Sequence, residues 1–227
     1  MRTPDTGVDV GADTGDDIGA DTGTAGGGTV VAVETTSGVG IAGDRRLTGG
    51  GTVRSESAER VFEFTVDSDS DPDTGPLAGA GVVGDPGGVK AFERRLQIEL
   101  EDADRAHAGE PAVDAIARIA GRVASEAGVA AAVAARDEEG VPRLRRIDRD
   151  GSILTTTAVA LGSGAEIALG LLESAELAEQ ADEITVVASF LRETLETVAV
   201  RDPLTGDAID VWTLSASAEG GSTGRDG

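Results

Sequence analysis

Few side chains in this sequence can do covalent or acid–base chemistry, and their scarcity narrows the options. Among 227 residues there is no cysteine, one histidine (His107) and one lysine (Lys90). Thiol nucleophiles, disulfides and thiolate metal sites are excluded. A lone histidine is poor material for a zinc site or a Ser-His-Asp triad. His107 stands in DADRAHAGEP, a helix end running into a loop, where it reads as a solvated cap. Hydroxyls, carboxylates and arginines remain. The stretch GGGTVVAVETTSGVGIAGDRR (26–46) concentrates them: glycines, Thr29, an alternating apolar segment, then Asp44-Arg45-Arg46. Thr29 at such a junction is either a residue to be freed as a new N-terminus or the first residue of a strand.

The elements that must position these groups follow from pattern. The chain is 39% hydrophobic but only 2% aromatic, so its core must be built from Val, Ala, Leu and Ile. Residues 5–28 repeat with a period of eight (DTGVDVGA, DTGDDIGA, DTGTAGGG) and read as an acidic tail too polar to order itself. Order is expected from Thr29. TVVAVET and VGIAGD form a hairpin; Val61, Phe62 and Phe64 mark another strand; 67–76 is an acidic loop; LAGAGVVG is a buried strand. Helices are expected over 85–109, with Val89, Phe92, Leu96, Ile98 and Leu100 inward, and over 110–128, with Pro111 in its first turn. A hairpin (129–137, 142–151), a strand (153–164), a short helix (165–175), a longer one (181–202, capped near Asp182) and a last strand (208–217) complete the order. Blocks of strands and helices in this order suggest α+β layers: two antiparallel sheets face to face, with helices outside both.

Charge constrains the partners. A formal net charge of −23 repels phosphates and argues against nucleic acid or an anionic membrane. The acid-rich, lysine-poor composition suits a cytoplasm of very high salt, where screening removes self-repulsion. No apolar run reaches the ~20 residues of a membrane span, and the acidic start is unlike a secretory leader. A soluble, cytoplasmic protein is expected.

Four motifs in order then carry a resemblance. They are V-x4-G-V-x-I-A-G-D-R-R-x-T over 33–48, AGAGVVGD at 78–85, LGSGAEIALGLLE at 161–173 and RDPLTGDAIDV at 201–211. Together they resemble the proteasome β-type subunits, with an HslV-like opening hairpin, across residues 28–216. The resemblance implies the N-terminal-nucleophile (Ntn) hydrolase fold, a four-layer αββα sandwich, over residues 29–217, with 1–28 as tail or propeptide and 218–227 as a frayed end. In such enzymes a threonine freed by autocatalytic cleavage attacks a peptide carbonyl, with its own α-amine, of pKa about 7.7–8.0, or a water-linked group acting as base. A lysine eases the developing alkoxide, an aspartate holds the lysine, and backbone N–H groups at a glycine turn stabilise the oxyanion. No cofactor or metal is implied. The implied partners are proteasome α- and β-type subunits, or further copies of this chain in stacked rings, and a peptide substrate where the subunit is active.

Carried over residue by residue, Thr29 is the candidate nucleophile, Asp44 the aspartate that orients the lysine, and Gly81 the oxyanion-hole glycine. Ser163 is the serine of the GSG turn, Asp202 belongs to the support network, and Thr205 stands where a serine is usual. Two positions depart. Counting back from Asp44 without a gap puts Gly28, not Thr29, at the nucleophile position; using Thr29 needs a one-residue correction in the ETTSG turn. The lysine position holds Arg60, whose guanidinium keeps the charge but cannot relay a proton. Arg60 also fits an ion pair with Asp44 that ties two strands together. The expectation is a proteasome β-like subunit built for threonine-type hydrolysis in a ring-shaped protease, with catalysis impaired. The alternatives are an active endopeptidase after cleavage before Thr29 and a non-catalytic peptide- or amide-binding module.

Overall fold

The computed structural model describes residues 27–49, 52–66, 76–106, 111–174 and 183–216. Strand β1 (Thr29–Thr35) turns at Thr36-Ser37 into β2 (Gly38–Asp44), as the alternating hairpin predicts. The two pair antiparallel without interruption from Val30↔Gly43 to Thr35↔Gly38. β10 (Ala158–Gly162) and β11 (Ile209–Ser215) flank them, giving a four-stranded sheet of order β10-β1-β2-β11. The second sheet has five strands, β5 (Val61–Phe64), β6 (Ala78–Val83), β7 (Ala130–Arg136), β8 (Pro142–Ile147) and β9 (Ile153–Thr155), also antiparallel and in sequence order. A small ribbon of β3 (Leu47–Gly49) and β4 (Thr52–Ser55), absent from the sequence expectation, follows β2.

Three apolar layers hold this together: one between the sheets and one under each pair of helices. Helices α1 (Pro86–Ala106) and α2 (Val113–Ala127) cover the five-stranded sheet, with Val89, Phe92, Leu96, Leu100, Ile116, Ala120 and Val123 turned inward. Helices α3 (Ala165–Ser174) and α4 (Ile184–Arg201) cover the four-stranded sheet, burying Ala168, Leu172, Val187, Leu191, Leu195 and Val198 against Val31 and Val33. Between the sheets lie Val30, Ala32, Val39, Ile41, Ala130, Ala132, Ala134, Leu144, Val159 and Leu161. Each large aliphatic buried in these layers contributes about 1.5–3 kcal/mol. The result is the expected four-layer αββα sandwich. Because β1 contributes to two layers, its odd-numbered valines face the helices and its even-numbered residues face the other sheet.

Several local expectations are corrected. Ile98 is half exposed, because the inward face of α1 runs through 89, 92, 96 and 100 in helical steps that 98 does not join. Pro111 precedes α2, whose N-cap is Ala112, rather than sitting in its first turn. The single strand expected over 153–164 is two. Thr156 Oγ1 donates to Ala158 O at 2.9 Å, and at this break the chain crosses from the five-stranded sheet to the four-stranded one. The N-cap of α4 is Glu183, without a side-chain capping bond. Asp182, His107, the 5–28 repeats except their last two glycines, and most of the 67–76 loop lie outside the described residues.

One packing prediction follows from the small residues of β6. A Cβ on Gly79 would strike the six-membered ring of Trp212 across the sheet interface. Gly79→Ala should cost about 1–3 kcal/mol by overpacking. Trp212 is the only tryptophan, so its emission should shift in the folded variant while the melt moves to lower temperature; an unchanged spectrum and melt would contradict this contact.

Candidate active site

The site lies at the end of the sandwich where β1 begins, and the orientation of Thr29 is set by the strand. The β1–β2 register, extended by one residue, brings Thr29 opposite Asp44; the backbone N–H of Thr29 donates to Asp44 Oδ1 at 2.6 Å. On its other side Thr29 is in register with Gly162 of β10. As an odd-numbered residue of β1, Thr29 directs its side chain to the face covered by α3 and α4, where it is fully buried. Its Oγ1 lies 2.7 Å from Thr205 Oγ1 and accepts from the N–H of Gly164, at the start of α3, at 2.9 Å. A Cβ on Gly164 would collide with Val198, so only glycine lets this amide approach the hydroxyl.

Asp202 organises this side of the site. It is the C-cap of α4, and its Oδ1 accepts the N–H of Leu204 at 3.0 Å, closing the turn. Its Oδ2 accepts from Ser163 Oγ and from Thr205 Oγ1, both at 2.6 Å. Thr205 thus commits its proton to the carboxylate, so in the Thr29–Thr205 bond Thr29 must donate. Thr29 therefore has its proton given to Thr205 and a lone pair given to Gly164. Ser163, Asp202, Thr205 and Thr29 form one connected network, as the sequence groups them.

Asp44 and Arg60 make up the second set. Both are buried. Asp44 Oδ2 accepts the N–H groups of Gly206 at 2.7 Å and Arg46 at 2.9 Å, adding to the bond from Thr29. The expected Asp44–Arg60 ion pair is present, with Nε 3.8 Å from Oδ1, longer than a hydrogen bond. Burial pushes the Asp44 carboxyl above its ordinary value against the pull of the three amides and of Arg60. Burial likewise lowers Arg60 against the pull of Asp44. Desolvation thus outweighs mutual attraction for both groups. Two short contacts of Arg60 go to backbone: Nη2 donates to the carbonyls of Gly27 and Arg46, each at 2.6 Å.

Gly81 sits within β6, in register with Val61, and its missing side chain is filled by Val30 Cγ1, 2.5 Å from where a Cβ would be, and Ile41 Cγ2 at 2.8 Å. These contacts lie on the inter-sheet face of β1, opposite to the Thr29 hydroxyl. The strand therefore divides the candidate residues. Gly28 is the residue whose side-chain direction meets Arg60: a Cβ there would stand 2.5 Å from both Nε and Nη2. Thr29 does not take that position: its Oγ1 lies on the other face, against Thr205 Oγ1 and the Gly164 N–H.

Arg46 is a site residue that sequence reasoning missed. Its Nη1 donates to the carbonyls of Pro203 at 3.1 Å and Thr205 at 3.0 Å, and its Nε to Glu56 Oε1 at 3.0 Å, tying the turn that carries Thr205 to the end of β2. Its place beside Asp44 in the DRR motif was the available signal. Among the described residues no group of three or more His, Cys, Asp or Glu side chains could hold a metal, and no helix is long and apolar enough to cross a membrane.

Two antiparallel sheets packed face to face between two layers of helices make the fold of the Ntn hydrolases. The proteasome subunit family model matches residues 24–214. Proteasome subunit beta 1 of Staphylothermus marinus is 31% identical over 197 residues, covering 83% of this chain and 84% of that protein. Proteasome subunit beta 1 of Desulfurococcus amylolyticus is 30% identical over 196 residues, covering 82% and 89%. The chain belongs to the proteasome subunit family.

Proposed function

We propose that this chain is a β-type subunit that takes its place in the stacked rings of a proteasome-like compartmental protease without completing a peptidase centre of its own. The family and the names of its relatives support the proteasome setting and the ring assembly. The observation that carries the impaired centre is the unbroken β1–β2 register. In it the residue facing Arg60 is a glycine with no hydroxyl, while the hydroxyl of Thr29 is spent on Thr205 and Gly164. Arg60 adds to this, because a guanidinium holds charge but releases no proton near neutral pH. On this reading residues 1–28 stay attached, and Asp202, Ser163 and Thr205 serve to seat α3, α4 and β1 together.

Native mass spectrometry and a fluorogenic-peptide assay test the proposal, with the protein purified in molar salt alone and with α-type subunits. Ring-sized assemblies and background hydrolysis are expected. A 22.8 kDa monomer at micromolar concentration in both preparations would contradict the assembly. Thr29→Ala tests the chemistry: it leaves the Gly164 N–H without its acceptor in a buried place and should cost about 1–3 kcal/mol. Hydrolysis should stay at the same background in that variant. Wild-type turnover that Thr29→Ala abolishes would sink the reading and favour an endopeptidase activated by cleavage before Thr29.

A further inference from the structure

The two residues preceding β1 are held more closely than entry into a strand requires. The N–H of Gly28 donates to Leu204 O at 2.9 Å, and Gly28 O accepts the N–H of Ser163 at 3.1 Å. Gly27 O accepts from Arg60 Nη2 at 2.6 Å, and the same nitrogen donates to Arg46 O at 2.6 Å. The guanidinium thus bridges the incoming chain to the end of β2. Both glycines adopt left-handed backbone, with φ of +52° at Gly27 and +88° at Gly28. Space excludes side chains as firmly as the dihedrals do. A Cβ on Gly27 would run into Thr48 Oγ1 and lie 3.2 Å from Leu204 O; one on Gly28 would strike the guanidinium at 2.5 Å. Only a Gly-Gly backbone fits between Thr48, Leu204, Ser163 and Arg60.

We propose that Arg60 is a backbone clamp, and that it holds the chain's own Gly27-Gly28 segment in place uncut. The proposal rests on the non-catalytic reading and gives Arg60 a role within it: the arginine holds the carbonyl of Gly27 instead of assisting a nucleophile. A lysine ends one atom short of Nη2 and would not bridge the two carbonyls in the same way.

Amide exchange at Gly28, measured on the full-length protein in molar salt, reads the clamp directly. In the wild type this amide should be protected through Leu204 O. Arg60→Lys should accelerate it by about tenfold, through more frequent local opening. Gly27→Ala should do the same while leaving the Asp44–Arg60 pair in place. Exchange at Val31 and Ala32, inside β1, should stay at its wild-type rate in the Gly27→Ala protein. Equal Gly28 exchange in the wild type and both variants would overturn the clamp, as would a rise at Gly28 that Val31 and Ala32 match in Gly27→Ala, since that is general destabilisation. A purified chain beginning at Thr29 would overturn both the clamp and the non-catalytic reading. A full-length chain with an unmoved Gly28 amide overturns the clamp alone.

Discussion

A chain carrying Gly28→Thr and Arg60→Lys together is expected to cut itself after Gly27 and to hydrolyse peptides well above the wild-type background, by roughly 10²–10⁴-fold. The geometry gives the reason. A side chain at position 28 points at the Arg60 guanidinium, whose Cζ stands 2.6 Å from a Cβ built there. The ammonium of a lysine ends at about the place of that Cζ, so the substitution removes the Nη2 contact, and the flexible lysine stem must swing aside to relieve the rest and leave a cation beside the hydroxyl. Asp44 remains to hold the ammonium. Threonine at 28 is strained in the uncut chain, because φ there is +88° and a β-branched residue resists it. Cleavage relieves that strain, since an N-terminal residue has no φ to satisfy. In the self-cutting step the hydroxyl oxygen of the introduced threonine bonds to the Gly27 carbonyl carbon. The amide that joins Gly27 to that threonine breaks, its nitrogen taking the proton. Water then hydrolyses the ester to free the Gly27 carboxylate. The single variants should both stay silent: Gly28→Thr meets the guanidinium, and Arg60→Lys has no nucleophile beside it. Such dependence on both changes is the usual behaviour of residues that act as one unit. Intact mass and a fluorogenic peptide report the two activities separately, and a double variant that folds, stays full length and hydrolyses nothing would contradict this account of the site.

Asp44→Ala should produce the largest loss of stability among single substitutions here. The carboxylate accepts three backbone N–H groups, from Thr29, Arg46 and Gly206, and faces the buried Arg60. Alanine orphans all three amides and leaves Arg60 with its charge uncompensated at that side. Removing one partner of a buried pair costs about 3–5 kcal/mol. For a chain of this length that corresponds to a fall in melting temperature of about 6–20 °C. Thermal unfolding followed by circular dichroism in molar salt measures it. A shift of only a degree or two would mean that Asp44 is not the anchor joining β1, β2 and the 202–206 turn.

Much of the fold was legible because its layers are periodic. Val31 and Val33 alternate with Val30 and Ala32, and the strand pairs where that alternation predicts. Phe92, Leu96 and Leu100 step along one face of α1, so the helix packs where they point. The elements missed are those set by single local bonds. Thr156 ends a strand by bonding Ala158, and nothing in ILTTTAVALG distinguishes that threonine from its neighbours. The β3–β4 ribbon is three or four residues on each side, too short for a period to show.

The candidate site was legible in part. Ser163, Asp202, Thr205 and Thr29 meet as the motifs group them, because each stands at the end of an element whose course the core dictates or, for Thr205, in the short turn that follows one. Counting back from Asp44 already named Gly28 as the residue at the nucleophile position, since a strand period of two leaves little freedom. Two contacts of Arg60 were hidden, because they go to backbone carbonyls of Gly27 and Arg46, which any residue type would offer. Arg46 escaped for the same reason: its bonds reach the carbonyls of Pro203 and Thr205, more than 150 residues away along the chain.

The central claim is that the chain keeps its upstream segment because no nucleophile faces Arg60. The intact mass of the purified protein, taken in molar salt, tests it most directly. The expected result is the full-length chain of 22.8 kDa, with residues 1–28 attached. A mass lacking those residues, with a free amine on Thr29, would contradict the claim and make Thr29 the leading candidate for a working nucleophile.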